Sequence, residues 1–204
     1  MPTQAEIQIS CLLLAAGSSK RMGQDKLSLP VGSGISMLEQ CAQALSRVPL
    51  SKRILVVRDL RRVPFDPEFF SFHVMEIGEE AGQGMHRSLK LGLQGLESSD
   101  EAVMIALGDQ PFLRAEDYEQ LLAAYRSGLA RGLDLLYPVR GGKRGNPAVI
   151  HRRYFQDILV ESDRDQGAKY LFERYPSKVN QWETNIPAFF QDLDTPEDYR
   201  ACLN

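Results

Sequence analysis

Short apolar runs alternate with amphipathic stretches up to about Pro138. Runs rich in Val, Ile and Leu at 7–15, 54–57, 74–77, 103–107 and 133–137 read as buried strands. Between them, apolar residues recur at helical spacing: Ile35, Leu38, Ala42 and Leu45; Met85, Leu89, Leu93 and Leu96; Tyr118, Leu121, Leu122 and Tyr125. Strand and helix in alternation predict an α/β fold, a mostly parallel sheet covered on both faces with right-handed crossovers. The pattern loosens after Pro138, with β-like pieces near 148–150, 178–182 and 189–193 that predict a small antiparallel extension. In such a sheet a ligand crevice lies beyond the carboxyl ends of the strands, where Ala16-Gly17 and Gly108-Asp109 fall.

The apolar run ending at Ala16 breaks at Gly17 into Ser18-Ser19-Lys20-Arg21-Met22-Gly23-Gln24-Asp25-Lys26. A small-residue loop with three cations can aim backbone N–H groups and fixed charge at one anion, most naturally a polyphosphate. Arginine forks onto oxygens, whereas lysine is a compact, mobile charge. A solvated turn is the bland alternative. Neither G-x-x-x-x-G-K-[ST] nor G-x-G-x-x-G is present, which sets aside two familiar phosphate loops. Asp109, at a strand's carboxyl end and entering a turn fixed by Pro111, has the hard oxygens that magnesium takes. The competing reading makes it a cap for a helix beginning near Arg114. Thr195-Pro196-Glu197-Asp198 reads as an acidic helix cap, which leaves Asp192 and Asp194 unexplained. In extended chain these two share one face, so both could reach a metal.

Composition narrows the classes. The chain has 204 residues, 43% hydrophobic, enough for one well-buried core, without repeats or linker-like tracts. A net charge of −3 argues against a nucleic-acid surface. No apolar run reaches membrane-spanning length, and Met1-Pro2-Thr3-Gln4-Ala5-Glu6 lacks signal-peptide character, so a cytoplasmic protein is expected. Cys11 and Cys41 read as reduced core residues. His73, His86 and His151 form no metal pattern, and His86 and Arg87 read as exposed helix residues.

Residues 12–26 resemble the signature L-A-A-G-x-S-x-R-M-G-x-x-K of the molybdenum-cofactor nucleotidyltransferases, within the nucleoside-triphosphate transferase superfamily. Leu107-Gly108-Asp109-Gln110-Pro111, Gly145-Asn146-Pro147 and Asp192-Leu193-Asp194-Thr195-Pro196-Glu197-Asp198 resemble the same family in the same order. The resemblance implies a three-layer, Rossmann-like sheet of the nucleotide-diphospho-sugar transferase type. It implies one domain over 1–204, with a nucleotide half at 1–113 and an acceptor half at 114–204. Nucleotide contacts would fall on Leu14, Ala15, Ala16, Gly17, Ser18, Ser19, Arg21, Lys26, Gly84 and Ser88. Lys26 would meet the α-phosphate and Arg21 the β and γ phosphates. Asp109, with Asp192 or Asp194 and preferably Asp192, would hold Mg2+. The acceptor pocket would involve Gly145, Asn146 and Pro147, where relatives often have Gly-His-Pro. The helix after Asp165-Gln166-Gly167-Ala168 would receive the acceptor phosphate, with Gly167 in contact. Ala15-Ala16-Gly17 resembles the cytidylyl branch, implying CTP and molybdopterin cofactor as substrates and an apo molybdenum hydroxylase as recipient of the product. The alternatives are guanylyl transfer, a sugar- or alcohol-phosphate acceptor, and a non-catalytic maturation factor.

Overall fold

A computed structural model describes residues 7–17, 22–32, 34–78, 84–161 and 167–202. Its strands are β1 (Ile9–Ala15), β2 (Pro30–Val31), β3 (Ile35–Ser36), β4 (Arg53–Val57), β5 (His73–Glu76), β6 (Ala102–Leu107), β7 (Leu135–Arg140), β8 (Lys143–Arg144), β9 (Ala148–His151) and β10 (Val179–Glu183). Its helices are α1 (Met37–Ser46), α2 (Met85–Gln94), α3 (Ala115–Leu129), α4 (Phe155–Val160), α5 (Lys169–Arg174) and α6 (Pro196–Cys202). Among the described residues the main sheet has eight strands in the order β10-β7-β9-β6-β1-β4-β5, with β8 hydrogen-bonded to β7; β2 and β3 form a separate antiparallel ribbon.

Alternation along the central strand β1 explains the layers. Cys11 and Leu13 face one core, packed with Leu38, Cys41 and Leu45 of α1 and Tyr118, Leu121 and Tyr125 of α3. Leu12 and Leu14 face the other, with Leu89 and Leu93 of α2, Ile158 of α4 and Leu171 of α5. Because helices cover both faces, β1 is apolar from Cys11 to Ala15 rather than alternating, and its buried Ser10 hydroxyl donates to Asp100 at 2.6 Å. The result is the expected three-layer α/β arrangement. Cys11 and Cys41 are core residues, fully buried and free of disulfides. No helix among the described residues is long and apolar enough to cross a membrane.

Local chemistry moves several element boundaries. Ile35 shares the helical spacing of its neighbours but lies in β3, because the Ser36 hydroxyl accepts from Glu39 N–H at 3.1 Å and starts α1 after itself. Strand β7 runs on through Pro138, where a missing N–H is tolerated: its ladder with β9 pairs only Leu135 and Leu136. The antiparallel part consists of reversed β9 and the β7–β8 pair, whereas β10 runs parallel to β7. The β-like piece at 189–193 is not a strand. Pro187–Phe190 forms a 3-10 turn that buries Phe189 edge-on against Trp182, with centroids 5.5 Å apart.

Candidate active site

At the carboxyl end of β6, Gly108 N–H donates to Leu14 C=O at 3.0 Å, so the turn carrying Asp109 is tied to the end of β1. The Asp109 carbonyl accepts from Leu193 N–H at 3.0 Å, which lays the 192–194 segment alongside. Lys26 comes from a 3-10 turn at Lys26–Ser28, capped by the Asp25 carboxylate. Its ammonium donates to Asp109 Oδ2 and to Asp194 Oδ1, both at 2.7 Å. Burial alone would lower the Lys26 pKa, but the charge and hydrogen bonds of Asp109, with those of Asp194, outweigh it and leave it raised. The lysine is a fixed cation at neutral pH.

The helix-cap reading of Asp109 fails, since Asp117 caps α3 by accepting from Arg114 N–H at 2.9 Å. The cap reading of Thr195 holds: its hydroxyl accepts from Asp198 N–H, while Asp198 Oδ2 accepts from the N–H groups of Asp194 and Thr195. That cap also orients Asp194. Asp109 Oδ1 is buried and accepts no hydrogen bond from the described residues, a costly state for a carboxylate oxygen unless a further cation or donor arrives. Among the described residues no group of three or more His, Cys, Asp and Glu forms a metal cage. The available set is therefore one or two carboxylates, which suits a hard divalent ion sharing its shell with phosphates.

Asp192 is exposed at its surface, yet partial loss of hydration in the recess, and then the charges of Asp109 and Asp194, push its pKa up to about 6. The unfolded carboxyl titrates near ~3.9, so the folded form binds the proton more tightly and stability falls as pH rises towards about 6. Asp192→Asn is expected to raise the melting temperature of the metal-free protein at about pH 8 and leave it unchanged near about pH 4. Added Mg2+ should stabilise the wild type more than the variant. Thermal melts at both pH values, with and without Mg2+, check this; a lower melting point at the higher pH would contradict it.

Beside this cluster lies a cavity of about 320 Å3 between the carboxyl ends of β1 and β4. Ala15, Gly17 and Gly23 line one wall, and Arg58, Asp59 and Arg62 another. Asp25 and Leu27 also line it, while Lys26 between them reaches the carboxylates. The Arg58–Arg62 wall was not foreseen; its signal was Arg58-Asp59 directly behind a buried strand. Ala15 and Gly17 stand where the sequence placed nucleotide contacts, and Leu14 and Ala16 are buried beneath. Gly84 and Ser88 do not line the cavity; Ser88 is 5% exposed within α2. Ser18, Ser19 and Arg21 lie outside the described residues, as do Asp165 and Gln166.

Two further expectations change. His86 is fully buried, its ring edge-on to Tyr170 with centroids 6.1 Å apart, because it shares the inward face of α2 with Leu89 and Leu93. Gly167 is buried, a Cβ there would stand 3.0 Å from Met85 Sδ, and α5 has only six residues, so nothing here supports an acceptor phosphate at that helix end. Gly145 has a packing role: a Cβ would stand 2.4 Å from the Phe189 carbonyl oxygen and 2.8 Å from the Phe190 ring. The next peptide, Asn146–Pro147, is cis. Gly145→Ala is therefore expected to destabilise the fold by about 1–3 kcal/mol or more, as overpacking does. Urea unfolding measures this; unchanged stability would contradict the contact.

The MobA-like NTP transferase domain family matches residues 11–179, and the chain belongs to it. The purine catabolism protein PucB of Bacillus subtilis is 30% identical over 199 residues, covering 92% of each chain. The molybdenum cofactor cytidylyltransferase of Escherichia coli is 22% identical over 195 residues, 94% of this chain and 93% of that one. A crystal structure of an rv0371c homologue from Mycobacterium sp. strain JC1 superposes with a TM-score of 0.78 at 25% identity, covering 96% and 94% of the two chains.

Proposed function

We propose that this MobA-like NTP transferase family member is a magnesium-dependent cytidylyltransferase, joining CMP from CTP to molybdopterin cofactor with release of pyrophosphate. One observation carries the reading: a lysine held between Asp109 and Asp194, at the carboxyl end of the sheet, beside a cavity of nucleotide size. A phosphate oxygen of the acceptor attacks the α-phosphorus in line. The new P–O bond forms as the bond to the β-phosphate oxygen breaks, and the electron pair leaves with pyrophosphate. The protein's task is to align two anions and offset the charge that develops.

In the ligand-free state Lys26 serves as counter-ion to the carboxylates. When the triphosphate enters, its ammonium turns to the α-phosphate oxygen that gains charge. Asp109 and Asp192, with Asp194 as the alternative partner, would hold Mg2+, whose Lewis acidity neutralises the phosphate oxygens when bound. The buried, unpartnered Asp109 Oδ1 supports that role. Arg21 is assigned to the β and γ phosphates, and the cavity between Ala15 and Arg58 to the nucleoside. The choice of CTP rests on Ala15-Ala16-Gly17 and on likeness to the Escherichia coli cytidylyltransferase; Gly145-Asn146-Pro147 is assigned to the acceptor side, and an apo molybdenum hydroxylase is the expected recipient.

Pyrophosphate release tests the substrate choice, with CTP, GTP, ATP and UTP offered separately, with and without molybdopterin cofactor. Release selective for CTP and dependent on both Mg2+ and the cofactor supports the reading. Release selective for GTP, or release without the cofactor, overturns it.

A further inference from the structure

Arg144, in β8, has its guanidinium carbon 4.3 Å from the Tyr137 ring centroid and 4.0 Å from that of Phe172. The two rings meet edge to face, 5.2 Å apart, so the cation sits in the corner they form between β7 and α5. It makes no hydrogen bond or ion pair with any described residue. Burial pushes its pKa down to about 10, with only a weak opposing pull from Tyr137 and Glu173, so it stays charged at neutral pH. Cation–π contact compensates part of the lost hydration, but the N–H donors gain nothing from it. A partly buried, unpaired arginine is unfavourable unless something else completes its hydrogen bonding.

Its backbone is firmly placed. Arg144 pairs with Val139 in the β7–β8 ladder, Gly145 N–H donates to Pro138 C=O at 2.8 Å, and Asn146 N–H donates to Phe189 C=O at 3.0 Å. Arg140 and Lys143, paired in the same ladder, add positive charge at this point of a chain whose net charge is −3. Strands β6 and β7 are both antiparallel to β9, so β7 ends at the same edge of the sheet as the Asp109 turn. A guanidinium fixed on aromatic faces offers its in-plane N–H groups to a planar fork of oxygens, the geometry in which arginine takes phosphate bidentately.

We propose that Arg144 is a receptor for a phosphate group of the acceptor, held ready by Tyr137 and Phe172; this rests on the nucleotidyl-transfer reading above for the identity of the ligand. The same chemistry fits the phosphates of the triphosphate, so the test separates the two. Arg144→Met keeps an unbranched stem against both rings while removing charge and donors. Its KM for molybdopterin cofactor should rise roughly tenfold or more, with the CTP KM within roughly twofold of wild type. Arg144→Lys should recover only part of the loss. Independently of any activity, inorganic phosphate should shift the Arg144 side-chain N–H resonance in arginine-labelled protein, and the signal should be lost in Arg144→Met. A shift with phosphate in a protein that transfers no nucleotide would sustain the site and sink only the ligand assignment's premise. A rise in the CTP KM instead, or no phosphate shift together with an unchanged acceptor KM, overturns the proposal.

Discussion

Lys26→Ala is expected to lower turnover by about 10²–10³-fold, the range seen when one preorganised donor at developing charge is removed. Its ammonium lies within hydrogen-bond distance of both Asp109 and Asp194. On the proposed mechanism its loss removes α-phosphate stabilisation, and it takes away a cation that both carboxylates share. Stability should fall too, by less than the ~3–5 kcal/mol of a broken, fully buried pair, because the Asp194 side chain is 44% exposed and screened by water. Lys26→Arg should restore charge but not the compact geometry, and recover little. Steady-state kinetics with far-ultraviolet circular dichroism separates chemistry from folding. Near-normal turnover in a folded Lys26→Ala protein would remove Lys26 from the mechanism.

Asp109→Asn is expected to be comparably severe. The substitution keeps shape and removes charge, so the Gly108–Asp109 turn should survive on its backbone bonds to Leu14 and Leu193. On the proposed mechanism the variant loses an anionic ligand for Mg2+, and metal-assisted charge stabilisation is worth several kcal/mol of barrier. Two readouts distinguish this from a local packing defect. The Mg2+ concentration for half-maximal activity should rise, and the Lys26 ammonium, keeping Asp194, should titrate lower than in the wild type. Chelation of the metal should bring the wild type down to the level of the variant. An unaltered magnesium dependence would contradict metal ligation by Asp109.

How much of this was legible in the chain depends on range. β1 and β6 are sandwiched by helices, and a strand buried on both faces is a nearly continuous apolar run, broken in β1 only by Ser10, with a plain signal. Asp109 could be placed because a strand end followed by Gly-Asp-Gln-Pro constrains its own geometry. Partners were harder: Lys26 lies 83 positions from Asp109 and 168 from Asp194, and only sheet order brings them together. His86 misled because Arg87 and Lys90 flank it, whereas its exposure is set by Tyr170 closing over α2 from a distant helix. Gly145 carried the signature of a binding loop while its neighbours explain it by packing. The cavity wall at Arg58–Arg62 offered only Arg58-Asp59 behind a buried strand, and its place beside Ala15 follows from the adjacency of β4 to β1.

The most direct test of the account follows the label itself. The protein, Mg2+, molybdopterin cofactor and CTP labelled at the α-phosphate are incubated together and the products resolved by chromatography and mass spectrometry. Label appearing in a cytosine dinucleotide of the cofactor, in step with pyrophosphate and absent with Lys26→Ala, is the predicted result. Label remaining in CTP, or passing only to free CMP, would contradict nucleotidyl transfer to this acceptor.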